Sequence, residues 1–310
     1  MPNVENSIIE EVIFSGLKQK KCSLYIKRED LIHPYVSGNK YRKLKYNIEQ
    51  AKVDKKQLLL TFGGAYSNHI AAVASVGKKN KFETIGVIRG EELADNLQNT
   101  LETNPTLRFA HDCGMKFKFV SREAYRDKSS ECFIANLKNE FGDFFLIPEG
   151  GTNELAVKGC EEILSSDTEQ FDFICISVGT GGTISGIINS AKKHQKVIGF
   201  PALKGEFLVD EIKKWAHLDS NWELNTDYHF GGYAKTTNEL IEFINYFKQE
   251  TKIQLDPIYT GKMVFGVVDL INKDYFAEGS RILLVHTGGI QGIEGVNSIL
   301  KRKNKILISK

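Results

Sequence analysis

The length, composition and charge of the chain indicate an ordinary globular protein. Of its 310 residues, 41% are hydrophobic and 26% are charged, and 41 basic side chains nearly balance 39 acidic ones. That balance leaves no electrostatic footprint for nucleic acid or an anionic membrane surface, and no apolar run approaches the ~20 residues that span a bilayer. The length predicts one large or two medium domains.

Cysteine and histidine spacing gives no sign of a metal site or a disulfide framework. The five cysteines are far apart without a C-x-x-C pair, and the seven histidines are scattered. The sequence therefore predicts that no metal is bound. The first residues lack the basic start and apolar run of a signal peptide, which predicts a cytoplasmic protein.

Short apolar, β-branched or aromatic runs alternate with amphipathic segments along the chain. The runs predict strands at 57–62, 84–88, 116–120, 144–147, 171–178, 196–200 and 281–286. The amphipathic segments predict helices at 40–51, 68–78, 153–164, 183–193, 237–249 and 262–272. This alternation predicts an α/β fold of mainly parallel sheets that helices cover on both faces.

Five of the predicted strands run directly into glycine-rich turns. In chain order these read T-F-G-G-A-Y-S-N-H, V-I-R-G, I-P-E-G-G-T-N, S-V-G-T-G-G-T-I-S-G and L-V-H-T-G-G. In open parallel sheets, ligands bind beyond the carboxyl ends of the strands, where N–H groups at helix starts hold anions. The turns therefore predict a polyanionic ligand surrounded by loops.

The strongest single motif is the run Gly179, Thr180, Gly181, Gly182 and Thr183, between an apolar strand and a helix. Glycines let successive N–H groups point inward, and the hydroxyls and the helix dipole add donors and positive potential. The motif predicts a cup for one phosphate group. A tight turn that binds nothing is the plainer alternative.

Two sharper phosphate motifs do not fit this stretch. A G-x-G-x-x-G dinucleotide fingerprint would need glycine at position 184, which is Ile184, and the next strand ends without an acidic residue. A P-loop would need G-K-[ST], which is absent. A nicotinamide oxidoreductase is therefore disfavoured.

The turn G-G-A-Y-S-N-H also lies between a strand and a helix. Ser67 or Asn68 can be an ordinary N-cap, and a carboxylate can lie against the same N–H groups. His69 is predicted to pack or hydrogen-bond rather than to act as a catalyst. The stretch S-G-N-K-Y-R-K-L-K-Y leaves open whether Lys40 is a solvated lysine or an amine that does chemistry.

Taken together, six motifs resemble one family of enzymes. They are S-G-N-K-Y-R-K-L-K-Y, G-G-A-Y-S-N-H, P-E-G-G-T-N, G-T-G-G-T, D-P-I-Y-T-G-K and H-T-G-G. Their order resembles that in pyridoxal-phosphate enzymes with the fold of the tryptophan-synthase β-subunit. More narrowly, they are similar to the branch of D-cysteine desulfhydrase and 1-aminocyclopropane-1-carboxylate (ACC) deaminase.

The resemblance assigns a role to Lys40. Lys40 matches the lysine that is linked covalently to pyridoxal phosphate. Arg42 and Lys43 lie close to it in sequence and are expected to favour its unprotonated amine.

The resemblance also implies the rest of the site. Asn68 would bond to the 3-oxygen of the cofactor, residues 179–183 would bind its phosphate, and Thr287 would face its pyridine nitrogen. Ser67 would meet the carboxylate and amine of the substrate. Two tyrosines, Tyr259 and Tyr233, would line the pocket and complete the catalytic set.

The implied activity is a pyridoxal-phosphate lyase on a small D-amino acid, with D-cysteine as the first substrate. Deaminases of the branch resemble D-P-x-Y-E-G-K, whereas this chain has Thr260 in place of the glutamate, as D-cysteine desulfhydrases do. Tyr66 stands where relatives carry glutamine. ACC deamination, another D-amino acid such as D-serine, and a pyridoxal-phosphate-binding protein without turnover remain alternatives.

The resemblance implies a two-domain architecture with the cofactor in the cleft. Residues 1–47 and 156–310 are expected to form a larger cofactor-binding domain, and 48–155 a smaller domain inserted into it. The related enzymes are usually homodimers, so a homodimer is expected, with a small amino acid as its other partner.

Overall fold

The computed structural model describes residues 3–17, 22–33, 35–36, 38–205, 207–217 and 221–309. Its strands are β1 (Ile9–Glu11), β2 (Ser23–Lys27), β3 (Leu58–Gly64), β4 (Glu83–Arg89), β5 (Met115–Val120), β6 (Phe145–Ile147), β7 (Phe173–Val178), β8 (Lys196–Pro201), β9 (Trp222–Leu224) and β10 (Arg281–Val285). Its helices are α1 (Asn39–Val53), α2 (Asn68–Asn80), α3 (Leu97–Thr103), α4 (Pro105–Asp112), α5 (Glu131–Phe141), α6 (Glu154–Glu161), α7 (Gly182–Ser190), α8 (Phe207–Lys213), α9 (Asn238–Thr251), α10 (Thr260–Asn272) and α11 (Ile293–Arg302).

The strands form two separate sheets. One has the order β1-β2-β10-β7-β8-β9, and only β1 pairs in the antiparallel sense. The other has the order β5-β4-β3-β6 and is wholly parallel. The predicted α/β fold with mainly parallel sheets is confirmed. The four-stranded sheet takes its strands from residues 58–147, but the domain boundaries themselves stay a prediction.

The central strands are apolar throughout because both of their faces are covered. Successive side chains of a strand point to opposite faces, yet Ile282, Leu283, Leu284 and Val285 are all fully buried. The helix α7 connects the neighbouring parallel strands β7 and β8, and α2 connects β3 and β4 in the same way. Each crossover helix thereby begins at the carboxyl end of a strand.

Several short elements were not predicted from the sequence. The edge strands β1 and β9 have three residues each, too few to establish a period of two. The helices α3 and α4 meet at Asn104, which ends one and caps the other. The strand β2 and the helices α5, α8 and α11 were also missed.

Most of the predicted helices differ from the observed ones by a few residues at an end, and two examples show why. The helix predicted at 153–164 starts one residue later, because Asn153 is its N-cap and accepts a hydrogen bond from the Ala156 N–H at 2.9 Å. The helix predicted at 183–193 ends at Ser190, since Ala191 is already extended. No helix among the described residues is both long and apolar enough to cross a membrane.

Candidate active site

A cavity of about 720 Å³ opens at the carboxyl ends of strands from both sheets. The turns after β3, β6, β7 and β10 contribute to its wall, together with the start of α1. Nearly all of the predicted site residues therefore meet in one place. Those in its wall are Lys40, Ser67, Asn68, Gly179, Thr180, Gly181, Thr183, Tyr233, Tyr259 and Thr287.

The turn after β7 has the form of an anion cup. Gly181 has a φ of 85°, a conformation that favours glycine, and it precedes the first residue of α7, Gly182. No side chain caps the start of this helix, so its first N–H groups remain available to an anion. The Thr183 hydroxyl is set by Asn39 Nδ2, which donates to it at 2.9 Å.

Gly182 lies behind this cup, in the packed wall. A Cβ at position 182 would approach the Thr152 side chain to 2.8 Å and Lys43 Nζ to 3.2 Å. The hydroxyls of Thr152 and Thr180 are 2.6 Å apart. Glycine is therefore required at 182 for the loops after β6 and β7 to approach each other.

Lys43 supplies a buried cation beside the cup. Its Nζ donates to Thr152 Oγ1 at 2.9 Å and to the Gly150 carbonyl at 3.1 Å, and lies 3.4 Å from Thr180 Oγ1. Burial lowers the pKa of this amine to about 8. Sequence reasoning did not place Lys43 at the anion cup, although its i, i+3 spacing from Lys40 puts both on one helix face.

Lys40 points into the cavity and is only loosely held. Its Nζ donates to the Gly150 carbonyl at 3.4 Å. Burial, and then the positive charge of Lys43, lower the pKa of this amine to about 7. A substantial fraction of Lys40 is therefore an unprotonated nucleophile at neutral pH.

Arg42 does not take part in this effect, and its predicted contribution is wrong. The Arg42 guanidinium is buried in a two-point ion pair with Glu29, with both contacts at 2.9 Å. Its remaining nitrogen lies 3.5 Å from a Glu162 oxygen. The carboxylates neutralise Arg42, which leaves Lys43 as the neighbouring charge that acts on Lys40.

The turn after β3 forms the opposite side of the cavity. Ser67 is the N-cap of α2, as predicted, and its hydroxyl accepts from the Ile70 N–H at 3.4 Å. Asn68 carries a buried Oδ1 without a partner among the described residues. His69 is buried with its Nε2 2.8 Å from Thr61 Oγ1, consistent with its predicted hydrogen-bonding role.

The turns after β10 and before α10 close the cavity. Thr287 lies two residues beyond β10, with its hydroxyl 3.4 Å from that of Ser177. The Tyr259 and Tyr233 rings meet edge to face with their centroids 6.3 Å apart. Burial raises the pKa of Tyr259 well above its ordinary value, so its phenol keeps its proton.

Thr260 is fully buried next to Tyr259. Its hydroxyl donates to Asp256 Oδ2 at 2.7 Å, and the same oxygen accepts from the Thr260 N–H at 2.8 Å. Asp256 also accepts from the N–H groups of Ile258 and Tyr259. This network fixes the turn that carries Tyr259 into the cavity.

Arg89 and Glu149 are among the charged residues of the cavity wall that were not predicted. Arg89 ends β4, beside Gly64 of β3. Glu149 accepts from the Tyr125 hydroxyl at 2.8 Å and pairs with Lys128 at 3.2 Å. The motif V-I-R-G, which follows a predicted strand directly, was the available signal for Arg89.

The chain is similar to known proteins over most of its length. The family model described as "Pyridoxal-phosphate dependent enzyme" matches residues 12–288. A bifunctional D-cysteine desulfhydrase/ACC deaminase of Arabidopsis thaliana is 31% identical, over 87% of this chain and 73% of that protein. An ACC deaminase of a Bradyrhizobium species is 28% identical, over 89% and 88%. The crystal structure of an ACC deaminase homologue superposes with a TM-score of 0.78 at 28% identity, over 95% and 94%.

Proposed function

The chain belongs to the pyridoxal-phosphate dependent enzymes, and on that premise we propose that it is a lyase acting on a small D-amino acid, with D-cysteine as its first substrate. The observation that carries this proposal is the amine of Lys40, which faces the cavity with a lowered pKa close to an anion cup. The overall reaction would convert D-cysteine and water into pyruvate, ammonia and hydrogen sulfide.

The residues of the cavity fit pyridoxal phosphate. The uncapped start of α7 and the Lys43 ammonium offer donors and positive charge for its phosphate. The Asn68 amide has an unused buried oxygen, and an amide can present either of its ends to the ring oxygen after a flip. Thr287 would offer the pyridine nitrogen a hydroxyl rather than a charge, and Lys40 would provide the covalent attachment.

When bound, pyridoxal phosphate supplies the electron sink that makes the α-proton of an amino acid removable. Lys40, freed when the substrate amine takes its place on the cofactor, would be the group suited to take that proton, because its lowered pKa allows it to act as a base near neutral pH. Loss of the β-substituent as sulfide would leave aminoacrylate, which water would convert to pyruvate and ammonia.

The substrate is proposed to lie between two walls of the cavity. The N–H groups in the first turn of α2 that the Ser67 cap leaves unpaired, together with the Ser67 hydroxyl itself, suit its carboxylate. The protonated phenols of Tyr259 and Tyr233 suit the opposite side, where they can donate hydrogen bonds. Thr260 favours the desulfhydrase, since its hydroxyl is satisfied by Asp256 and adds no carboxylate.

ACC deamination is the alternative within the same site, and the names of the relatives support it. That substrate has no α-hydrogen, so Ser67 or Tyr259 would have to assist ring opening. Pyruvate and α-ketobutyrate release by the purified holoenzyme separates the two reactions. Pyruvate from D-cysteine, with neither L-cysteine nor ACC consumed, is the expected result, whereas α-ketobutyrate from ACC alone would contradict the desulfhydrase.

A further inference from the structure

One segment reaches the cavity without a regular secondary structure of its own. Residues 225–237 connect β9 to α9 and bring Tyr233 into the cavity wall. The backbone is left-handed at Phe230, Gly231, Gly232 and Ala234, with φ of 52°, 93°, 111° and 55°. Phenylalanine and alanine hold that conformation only where surrounding contacts impose it.

Lys262 provides two of the contacts that hold the segment in this conformation. This side chain belongs to the first turn of α10 and is 1% exposed. Its Nζ donates to the main-chain carbonyls of His229 and Gly232, each at 2.9 Å. Burying an amine is costly compared with burying an apolar side chain. The His229 carbonyl precedes the left-handed stretch and the Gly232 carbonyl lies within it, so bonding to both gives this lysine a specific task.

Two further contacts hold the same segment against α10. The Tyr228 hydroxyl donates to Asp269 Oδ2 at 2.8 Å. The Phe230 and Phe265 rings meet edge to face at 5.0 Å. Because α10 begins immediately after Tyr259, one helix holds the segment and also presents the ring that Tyr233 contacts.

We propose that Lys262 is a positioning residue that fixes Tyr233 against Tyr259 by holding the carbonyls of His229 and Gly232. It acts on the substrate only through Tyr233. This inference rests on the proposed function to the extent that an amino acid binds beside the two tyrosines. It adds a role for the lysine at the end of the D-P-I-Y-T-G-K motif.

The first arm of the test measures whether the segment is released. Lys235 is exposed two residues after Tyr233, so trypsin reports on the local opening of this backbone. Lys262→Met in the holoenzyme is expected to raise the initial rate of cleavage at Lys235 by ~10-fold, because the opened segment becomes more populated. Lys248→Met in α9 is the matched control, because it removes a half-buried lysine that donates to a main-chain carbonyl, that of Ser309, outside this segment. An unchanged rate in Lys262→Met would overturn the proposal.

A second variant guards against general misfolding. Lys262→Gln keeps a donor on a shorter side chain and is expected to give an intermediate cleavage rate at Lys235. If Lys262→Met unfolds globally, many sites are cut and Lys262→Gln alone provides the comparison. A rate in Lys262→Gln equal to that of the wild type would then overturn the proposal.

The second arm is a double-mutant cycle on amino-acid binding. D-Alanine has no β-leaving group, and its dissociation constant is read from the absorbance of the bound cofactor. Lys262→Met is expected to weaken binding by ~10-fold in the wild type and by less than about 2-fold in a Tyr233→Ala background. Equal losses in both backgrounds would mean a general structural role and would overturn the proposal.

The arms separate this inference from the proposed reaction. If D-cysteine gave no pyruvate while D-alanine still bound, the reaction would be wrong and the cycle would remain readable. If D-alanine did not bind to the wild-type holoenzyme at all, the positioning role would fall, whatever trypsin showed.

Discussion

Two lysines, the half-buried Lys40 and the fully buried Lys262, each lie in the first turn of a helix and serve different purposes. Lys40 in α1 makes one long contact of 3.4 Å with a carbonyl, whereas Lys262 in α10 makes two contacts of 2.9 Å. Burial lowers the pKa of both amines, to about 7 and about 8, and the positive end of a helix adds to this effect.

The difference lies in how each amine is held. Lys262 is satisfied by the backbone and has little freedom to react. Lys40 faces the cavity with one weak partner, and the charge of Lys43 further disfavours its protonated form. A lysine with a lowered pKa is therefore a candidate nucleophile only where the fold leaves its hydrogen bonds incomplete.

The largest expected effect comes from removing the reactive amine. Lys40→Ala is expected to lower kcat/KM for D-cysteine by at least ~10³-fold, because both the covalent attachment and the base are lost. Sulfide and pyruvate release provide the measurement. Lys52→Ala, on the exposed side of the same helix, should keep wild-type activity, and a Lys40→Ala protein as active as the wild type would refute the mechanism.

Replacing each lysine by methionine should change the free energy of unfolding in opposite directions. In the cofactor-free protein at pH 7, Lys40→Met is expected to be more stable than the wild type by on the order of 4 kcal/mol, since the amine is forced from its ordinary pKa of 10.5 to about 7. At pH 11, where the lowered pKa of Lys262 no longer costs stability, Lys262→Met is expected to be less stable by about 1–3 kcal/mol, because two buried carbonyls lose their donor.

The stability difference between Lys40→Met and the wild type should depend on pH in a defined direction. The folded pKa of Lys40 lies below the unfolded one, so the penalty in the wild type is complete below pH 7 and disappears as the pH approaches 10.5. Urea unfolding of both proteins at several pH values should show the advantage of Lys40→Met shrinking as the pH rises. A constant difference would contradict the lowered pKa.

The smallest effect is expected at Lys43. Lys43→Met should weaken the binding of pyridoxal phosphate by ~10–100-fold, because the anion cup loses its buried cation.

The rate of cofactor uptake should also follow the unprotonated fraction of Lys40 and rise with pH about a midpoint near 7. In Lys43→Met the positive charge beside Lys40 is gone, so the midpoint should move to a higher pH. An unmoved or lowered midpoint would contradict the conclusion that Lys43 lowers the pKa of Lys40.

The sequence predicted the fold class and most of the candidate residues that the structure brings together in one cavity. Buried parallel strands such as β7 and β10 are continuous apolar runs, and the glycine-rich turns that follow them identified the cavity. Short edge strands such as β9 are defined by pairing with distant segments, which local patterns do not contain.

The electrostatics of the site could not be predicted in the same way. Arg42 and Lys43 are neighbours in sequence, yet Glu29 neutralises one and the other reaches the anion cup. That division depends on residues distant in sequence. The carbonyl partners of Lys262 likewise lie about thirty residues away in the chain, so its role emerged only from the structure.

The most direct test of the central claim is to identify the lysine that carries the cofactor. Reducing the holoenzyme with borohydride fixes pyridoxal phosphate to its attachment site, and mass spectrometry of the digested protein locates the modified residue. The modification is expected on Lys40, in the peptide that contains Gly38, Asn39 and Lys40. Modification of Lys43 or Lys262 instead would contradict the assignment of the reactive amine and the comparison between Lys40 and Lys262.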